Sequence, residues 1–163
     1  MLLIEVIQEK LKLWKYYYHK KPTKLYLFCG YELTKDSDDK LYEDVYYLFQ
    51  RIKILMQYGC LGYVIRHQDY KNHPLSNIYV QIARWCNQPQ FYKKMSFKEF
   101  IDRNQYYVKT KNHICRALQT YNTFLDYFAD KRAEIENLFE TVKYTNLINP
   151  SLWAREESEQ NGQ

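Results

Sequence analysis

Two short runs of nearly unbroken apolar residues constrain this chain more than anything else in it. They are LYLFC at 25–29 and CLGYVIR at 60–66. Between them Leu41, Val45, Leu48, Ile52 and Leu55 step by four and three, with Glu43, Gln50, Arg51 and Lys53 off that line. Such steps place the apolar residues on one helix face, while short apolar runs bounded by turn residues read as buried strands. Continuous apolar character, rather than alternation, predicts strands covered on both faces, as in a parallel sheet. Strand, helix and strand in that order make one right-handed βαβ unit. The predicted fold is therefore α/β and helix-rich, with one parallel βαβ unit plus a C-terminal helical region.

The flanking residues fill in the rest. TKDSDD at 34–39 supplies a loop, Ser37 as the N-cap of a helix over 38–58, and two acids for its first turn. Gly59 is the expected C-cap. Leu3, Ile7, Leu11 and Trp14 predict a helix over 2–19, ended by Pro22-Thr23. After the second strand comes the polar loop HQDYKNHPLSN, then a helix over 75–86 that stops before Pro89. Ser96 and Glu99 form a capping box at the head of a short helix over 95–101. From 111 to 144, a seam runs through Ile114, Leu118, Tyr121, Leu125, Phe128, Arg132, Ile135, Phe139 and Val142. It reads as one long helix, or as two broken near Asp130. The residues after Asn149-Pro150 read as a disordered polar tail over 149–163.

With 163 residues the chain is long enough for one domain with a real core. It has 18 tyrosines, only 4 glycines, and a net charge of +5. The stretch KYYYHKKPTK, 15–24, places basic residues beside aromatics, the combination that holds single-stranded nucleic acid. A solvated helix end with lysines lying along apolar surface gives the same pattern. No run is long and apolar enough for a membrane helix. The opening MLLIEVIQEK lacks the basic start and cleavage site of a signal peptide. These features predict a cytoplasmic protein with reduced thiols. Cys29, Cys60, Cys86 and Cys115 never share a turn, so zinc-ribbon spacing is absent and each reads as a small buried hydrophobe.

The ordered series LYLFCGYE, DVYYLFQRIKILMQYG and CLGYVIRH resembles the late barrel strands and intervening helix of radical SAM proteins. IYVQIARWCNQPQFYKKMSFKEF, 78–100, resembles that family's post-barrel stretch, with its ARW-N helix, Phe-Lys pair and SF-EF segment. The similarity covers residues 25–101. It implies a partial (β/α) barrel fragment over 1–102, followed by a helical extension over 103–148. The family's C-x3-C-x2-C loop, whose thiolates converge on one iron–sulfur cluster, is missing here. The resemblance thus implies S-adenosylmethionine (SAM) as the cofactor, but no iron–sulfur cluster on this chain.

In parallel α/β sheets ligands gather at the C-terminal ends of the strands. The resemblance accordingly implies that Gly30, Glu32, Arg66 and His67 line a pocket over SAM and substrate. Gly30 would let the chain approach a ligand closely, and Glu32 or Arg66 would bond its polar groups. The alternative is that Glu32 and Arg66 pair with each other or face solvent. His67 could serve as an acid or base, but its spacing to His73 fits no helix face, and no metal site or catalytic residue is assigned.

Two parallel strands leave edges that invite pairing with another chain. The partner would be a separate N-terminal barrel half, or a second copy of this chain bound edge to edge. The principal reading is a barrel fragment, inactive alone, that supplies part of a SAM and substrate pocket. Its rivals are a small basic Tyr/Lys-rich module from a mobile element that binds nucleic acid or protein, and a helical adaptor using the 114–142 seam.

Overall fold

The computed structural model describes residues 2–18 and 24–153. Its elements are α1 (Leu2–Tyr18), β1 (Lys24–Cys29), α2 (Asp38–Gln57), β2 (Leu61–Arg66), α3 (Asn77–Cys86), α4 (Pro89–Tyr92), α5 (Phe97–Tyr106), α6 (Arg116–Tyr127), α7 (Arg132–Thr141) and α8 (Tyr144–Leu147). Short 3-10 turns occupy Gln68–Asn72, Ala129–Lys131 and Pro150–Trp153. The chain is an α/β protein rich in helix, built on one parallel βαβ unit.

β1 and β2 pair in parallel, from Lys24 opposite Leu61 to Cys29 opposite Arg66, so both strand tips lie at the same end. α2 forms for the reasons its sequence gives. Its apolar stripe, Leu41, Val45, Leu48, Ile52 and Leu55, is fully buried, and Gly59 ends it with a φ of 68°, a conformation that L side chains rarely adopt. Ser37 stands at the N-cap position, but its hydroxyl turns back to accept the Thr34 N–H at 3.0 Å and makes no cap bond. Only half of the capping box forms at α5. Ser96 accepts the Glu99 N–H at 3.2 Å, whereas the Glu99 carboxylate takes Lys143 Nζ at 2.9 Å.

The seam after residue 111 is two helices, broken at Phe128 to Lys131. Tyr121, Leu125, Phe128, Ile135, Phe139 and Val142 are all buried, while Ile114 is exposed, contrary to its place in the seam. Arg132 sits at the break and pairs with Asp126 and Glu136. One aromatic cluster joins the βαβ unit to these helices. Phe49 of α2 stacks on Trp85 of α3 with ring centroids 5.7 Å apart, and meets Phe97 of α5 and Phe139 of α7. Residues on both sides of position 102 thus share one core. At the far end the Asn149 N–H bonds Gln57 O at 2.9 Å and Leu152 packs on the core, so residues 149–153 are an ordered turn. The rest of the expected tail lies outside the described residues.

The sheet departs from expectation in one respect. Its strands are covered on one face only. Leu27, Cys29 and Val64 are buried on the side of α2, while on the opposite side Tyr26 is 64% exposed, Phe28 65% and Tyr63 37%. Continuous apolar character here reflects exposed aromatics between buried aliphatics.

Candidate functional site

The tips of β1 and β2 converge, but the chain's own 3-10 turn folds over them. Gly30 has a φ of 75°, and a Cβ built on it would lie 2.5 Å from Tyr70 Cβ. The close approach that glycine permits is therefore taken by Tyr70. Glu32 also has positive φ, at 53°. Its N–H donates to Asp69 Oδ2 at 3.1 Å, and its carboxylate accepts from Lys40 Nζ at 3.2 Å. Arg66 lies 4.9 Å over the Tyr70 ring, and His67 accepts the Asp69 N–H at 3.2 Å while meeting the Tyr31 ring edge-on. The four residues singled out in the sequence share one rim. Glu32 and Arg66 do not pair with each other, and Gly30 is closed off.

The strand edges are treated unequally. In a parallel strand alternate residues aim both backbone groups to the same side. The His67 N–H donates to Cys29 O at 2.8 Å, so Cys29, Leu27 and Leu25 face β2, and Lys24, Tyr26 and Phe28 face outward. The same alternation turns Val64 outward on β2, where Asn87, just past α3, meets it. Asn87 Oδ1 accepts the Val64 N–H at 2.6 Å and Asn87 Nδ2 donates to Val64 O at 3.1 Å. One side-chain amide thus does what a third strand would do. On β1, two α2 side chains two turns apart close the upper part of the edge. Asp44 Oδ2 accepts the Gly30 N–H at 2.8 Å, and the Arg51 guanidinium donates twice to Phe28 O at 3.1 Å. Burial pushes the Arg51 pKa down. Asp44 Oδ2 also accepts the Tyr79 hydroxyl at 2.5 Å; burial first, and then the Asp44 charge and this bond, hold the Tyr79 pKa far above its ordinary value.

Below Phe28 the β1 edge opens into a groove of about 450 Å³ between α1 and the strand. Val6, Ile7, Leu11, Trp14, Leu25, Leu27 and Leu55 line it, with Lys10, Lys24 and Arg51 as its only charged lining residues among those described. The α1 stripe is only partly used. Leu11 is buried, but Trp14 remains 39% exposed and Val6 42%.

His73, weighed in the sequence as half of a metal pair, has a structural role. It is buried, its Nδ1 accepts the Leu75 N–H at 3.1 Å, and its Nε2 therefore carries the proton given to Asp38 Oδ1 at 2.7 Å. Asp38 Oδ2 accepts the Tyr127 hydroxyl at 2.6 Å, which ties the head of α2 to the end of α6. Bonds from Tyr127 first, and then His73, hold the Asp38 carboxyl below the usual carboxylate range. Among the described residues no group of three His, Cys, Asp or Glu side chains converges as a metal site needs, and no helix is long and apolar enough to cross a membrane. Cys29, Cys60 and Cys86 are buried, Cys115 is partly so, and no disulfide joins any of the four. Burial, with Asp44 adding to it, pushes the Cys29 thiol up to about 12.

Fold and site together define a parallel βαβ unit with one covered face, one bare aromatic face, one closed edge and one half-open edge. Searches against family models, curated proteins and solved structures match nothing to the chain. The groove, the bare face and the Asn87 clip were all missed in the sequence. The one local signal for them was Tyr and Phe at alternate positions in β1, with a matching Tyr63 in β2.

Proposed function

We propose that this chain is one part of a pocket completed by a second polypeptide: the C-terminal segment of a radical SAM-like barrel, inactive alone. The observation that carries the reading is the bare sheet face. Parallel sheets are found with both faces covered. In a (β/α) barrel the helices lie outside and the second strand face looks inward. A βαβ unit taken from such a barrel exposes that inner face, and here it bears Tyr26, Phe28 and Tyr63.

The cofactor fits in part. Exposed Glu32 and Arg66 at the rim complement the amino and carboxylate groups of SAM, with His67 beside them. Gly30 does not fit as a ligand contact, because Tyr70 fills the space against it. SAM, when bound with a partner's iron–sulfur cluster, would supply the reductive cleavage chemistry. The residues of this chain would bind and orient it. Three buried thiols on β1, just before β2 and on α3 also support leaving the cluster to the partner.

Anaerobic incubation of the isolated chain with iron and sulfide should give no iron–sulfur charge-transfer absorbance. Mixed with the polypeptide encoded directly upstream, it should bind SAM, and Glu32→Gln or Arg66→Ala should weaken SAM binding without weakening assembly. A stable cluster on this chain, no C-x3-C-x2-C loop upstream, or SAM binding indifferent to both substitutions refutes the reading.

A second reading rests on the same face. Exposed rings of Tyr26, Phe28 and Tyr63, with Lys24 Nζ 5.1 Å over the Tyr63 ring, offer a stacking platform for single-stranded nucleic acid. Affinity for an oligonucleotide should then fall steeply from ~50 to ~200 mM salt. No binding at low salt removes this alternative.

A further inference from the structure

The groove beside β1 combines three features that a simple surface cleft lacks. First, its floor includes a strand edge whose outward backbone groups at Tyr26 have no partner among the described residues, while the neighbouring outward groups, Phe28 C=O and Gly30 N–H, are taken by Arg51 and Asp44. Second, its wall is the unfilled part of the α1 stripe, where Val6 and Trp14 stand exposed. Third, its charged lining is Lys10, Lys24 and Arg51, and among the described residues none of the three has a carboxylate within ion-pair distance.

We propose that this groove receives a short extended segment of a different polypeptide, which adds a strand at Tyr26, places apolar side chains against Trp14 and Val6, and sets acidic side chains against Lys10 and Lys24. Strand addition of this kind takes affinity from main-chain bonds and specificity from alternate side-chain pockets. Charge decides against a second copy of this chain. A twofold contact presents the same patch from both sides, so Lys10, Lys24 and Arg51 of each copy would face their equivalents, and like charges opposed across strands destabilise pairing. The closed upper edge limits the added strand to a few residues at the Lys24 to Tyr26 level. The proposal shares with the pocket reading the need for a second chain, but it needs neither SAM nor a barrel.

The test uses the full chain, isotope-labelled, and a peptide of alternating valine and glutamate. The amide resonances of Lys10, Trp14 and Tyr26 should move in a saturable way. Tyr26→Ala keeps the outward N–H and is the reference for loss of the ring alone. Tyr26→Pro deletes that N–H, in an edge position where proline is tolerated, and should weaken binding at least about tenfold while far-UV circular dichroism is unchanged. A peptide with lysine in place of glutamate should not bind. Equal binding by Tyr26→Pro and Tyr26→Ala overturns the proposal, and so does a silent acidic peptide. If decanoate shifts the Lys10 and Trp14 resonances in both variants while the peptide is silent, the groove is instead a pocket for a small amphipathic anion. SAM binding by the assembled pair with the peptide silent would leave the pocket reading standing and this one fallen; peptide binding without SAM binding would do the reverse.

Discussion

Replacing Asn87 by alanine should cost this protein more than its half-exposed position suggests. The Asn87 amide makes two bonds, at 2.6 and 3.1 Å, to the outward N–H and C=O of Val64, a residue only 3% exposed. Alanine removes both partners and leaves two backbone groups at a buried strand edge. An unpaired buried group costs about 1–3 kcal/mol. Because water can reach the position Asn87 vacates, the low half of that range applies to each group, and the total is about 2–4 kcal/mol. With a slope of about 2 kcal/mol per molar urea for a chain of this size, the unfolding midpoint should fall by about 1–2 M. Asn87→Asp tests the geometry separately. It can still accept the Val64 N–H but turns an acceptor against Val64 O, so it should be no better than alanine despite its similar shape. Hydrogen exchange at the Val64 amide should accelerate in both variants. A midpoint change equivalent to less than about 0.5 kcal/mol, the range of ordinary surface substitutions, or a Val64 amide that exchanges as before, would refute the idea that one side chain stands in for a missing strand.

Gly30→Ala should destabilise by about 2–4 kcal/mol, from positive φ together with the clash on Tyr70, and the double variant with Tyr70→Gly should recover part of the loss; equal losses in urea unfolding would refute the contact. Asp38, held below the usual carboxylate range by Tyr127 and His73, contributes stability that is present above the unfolded carboxylate pKa and lost as pH falls through its lower folded value. Asp38→Asn should therefore lower stability at neutral pH and flatten the acid limb of the stability profile, whereas an unchanged limb would remove Asp38 from the account. In the native protein at mildly alkaline pH a disulfide reagent should react with Cys115 readily, with Cys29, Cys60 and Cys86 reacting only on unfolding; a second fast thiol would contradict the burial of those three.

The parts of this fold written in local periodicity were legible in the sequence. α2 could be read from Leu41 to Leu55 because steps of four and three admit one geometry, and the two strands because each run is short, apolar and bounded by turn residues. Their parallel pairing followed from the intervening helix. The bare face was not legible, because Tyr26 and Phe28 extend an apolar run whether they meet a second layer or water. The break at Phe128 to Lys131 was legible only as one of two options, a single long helix or two broken near Asp130. α6 and α7 present their apolar residues to the same core, so the seam continues through a change of helix. Glu32, Arg66 and His67 do share the rim the sequence placed them on. What filled the space above Gly30, the ring-bearing turn at Tyr70, lay in a polar loop with no pattern to read. Asn87 was beyond reach for the same reason, since a two-bond clip across 23 residues leaves no periodic trace.

The distribution of edge protection narrows what kind of partner the molecule lacks. Each strand is guarded by the helix that follows it. α2 follows β1 and sends Asp44 and Arg51 to its upper edge; α3 follows β2 and ends at Asn87. α1 precedes β1 and lies along the remaining half of the edge, yet it leaves the Tyr26 backbone groups unpaired. Helix geometry explains this, since the N–H and C=O groups of a helix interior are spent on its own i to i−4 bonds and its flank can offer a strand edge only side chains. Leu11 docks on the core, while Lys10 and Trp14 reach the groove, and neither supplies an acceptor for a backbone N–H. Another helix laid into the groove would reach the edge only through side chains, as α2 does with Asp44 and Arg51, whereas an extended segment brings both backbone groups at once. The unmet bonding capacity at Tyr26 is of the kind that extended backbone satisfies, and the cations around it select which extended backbone that is.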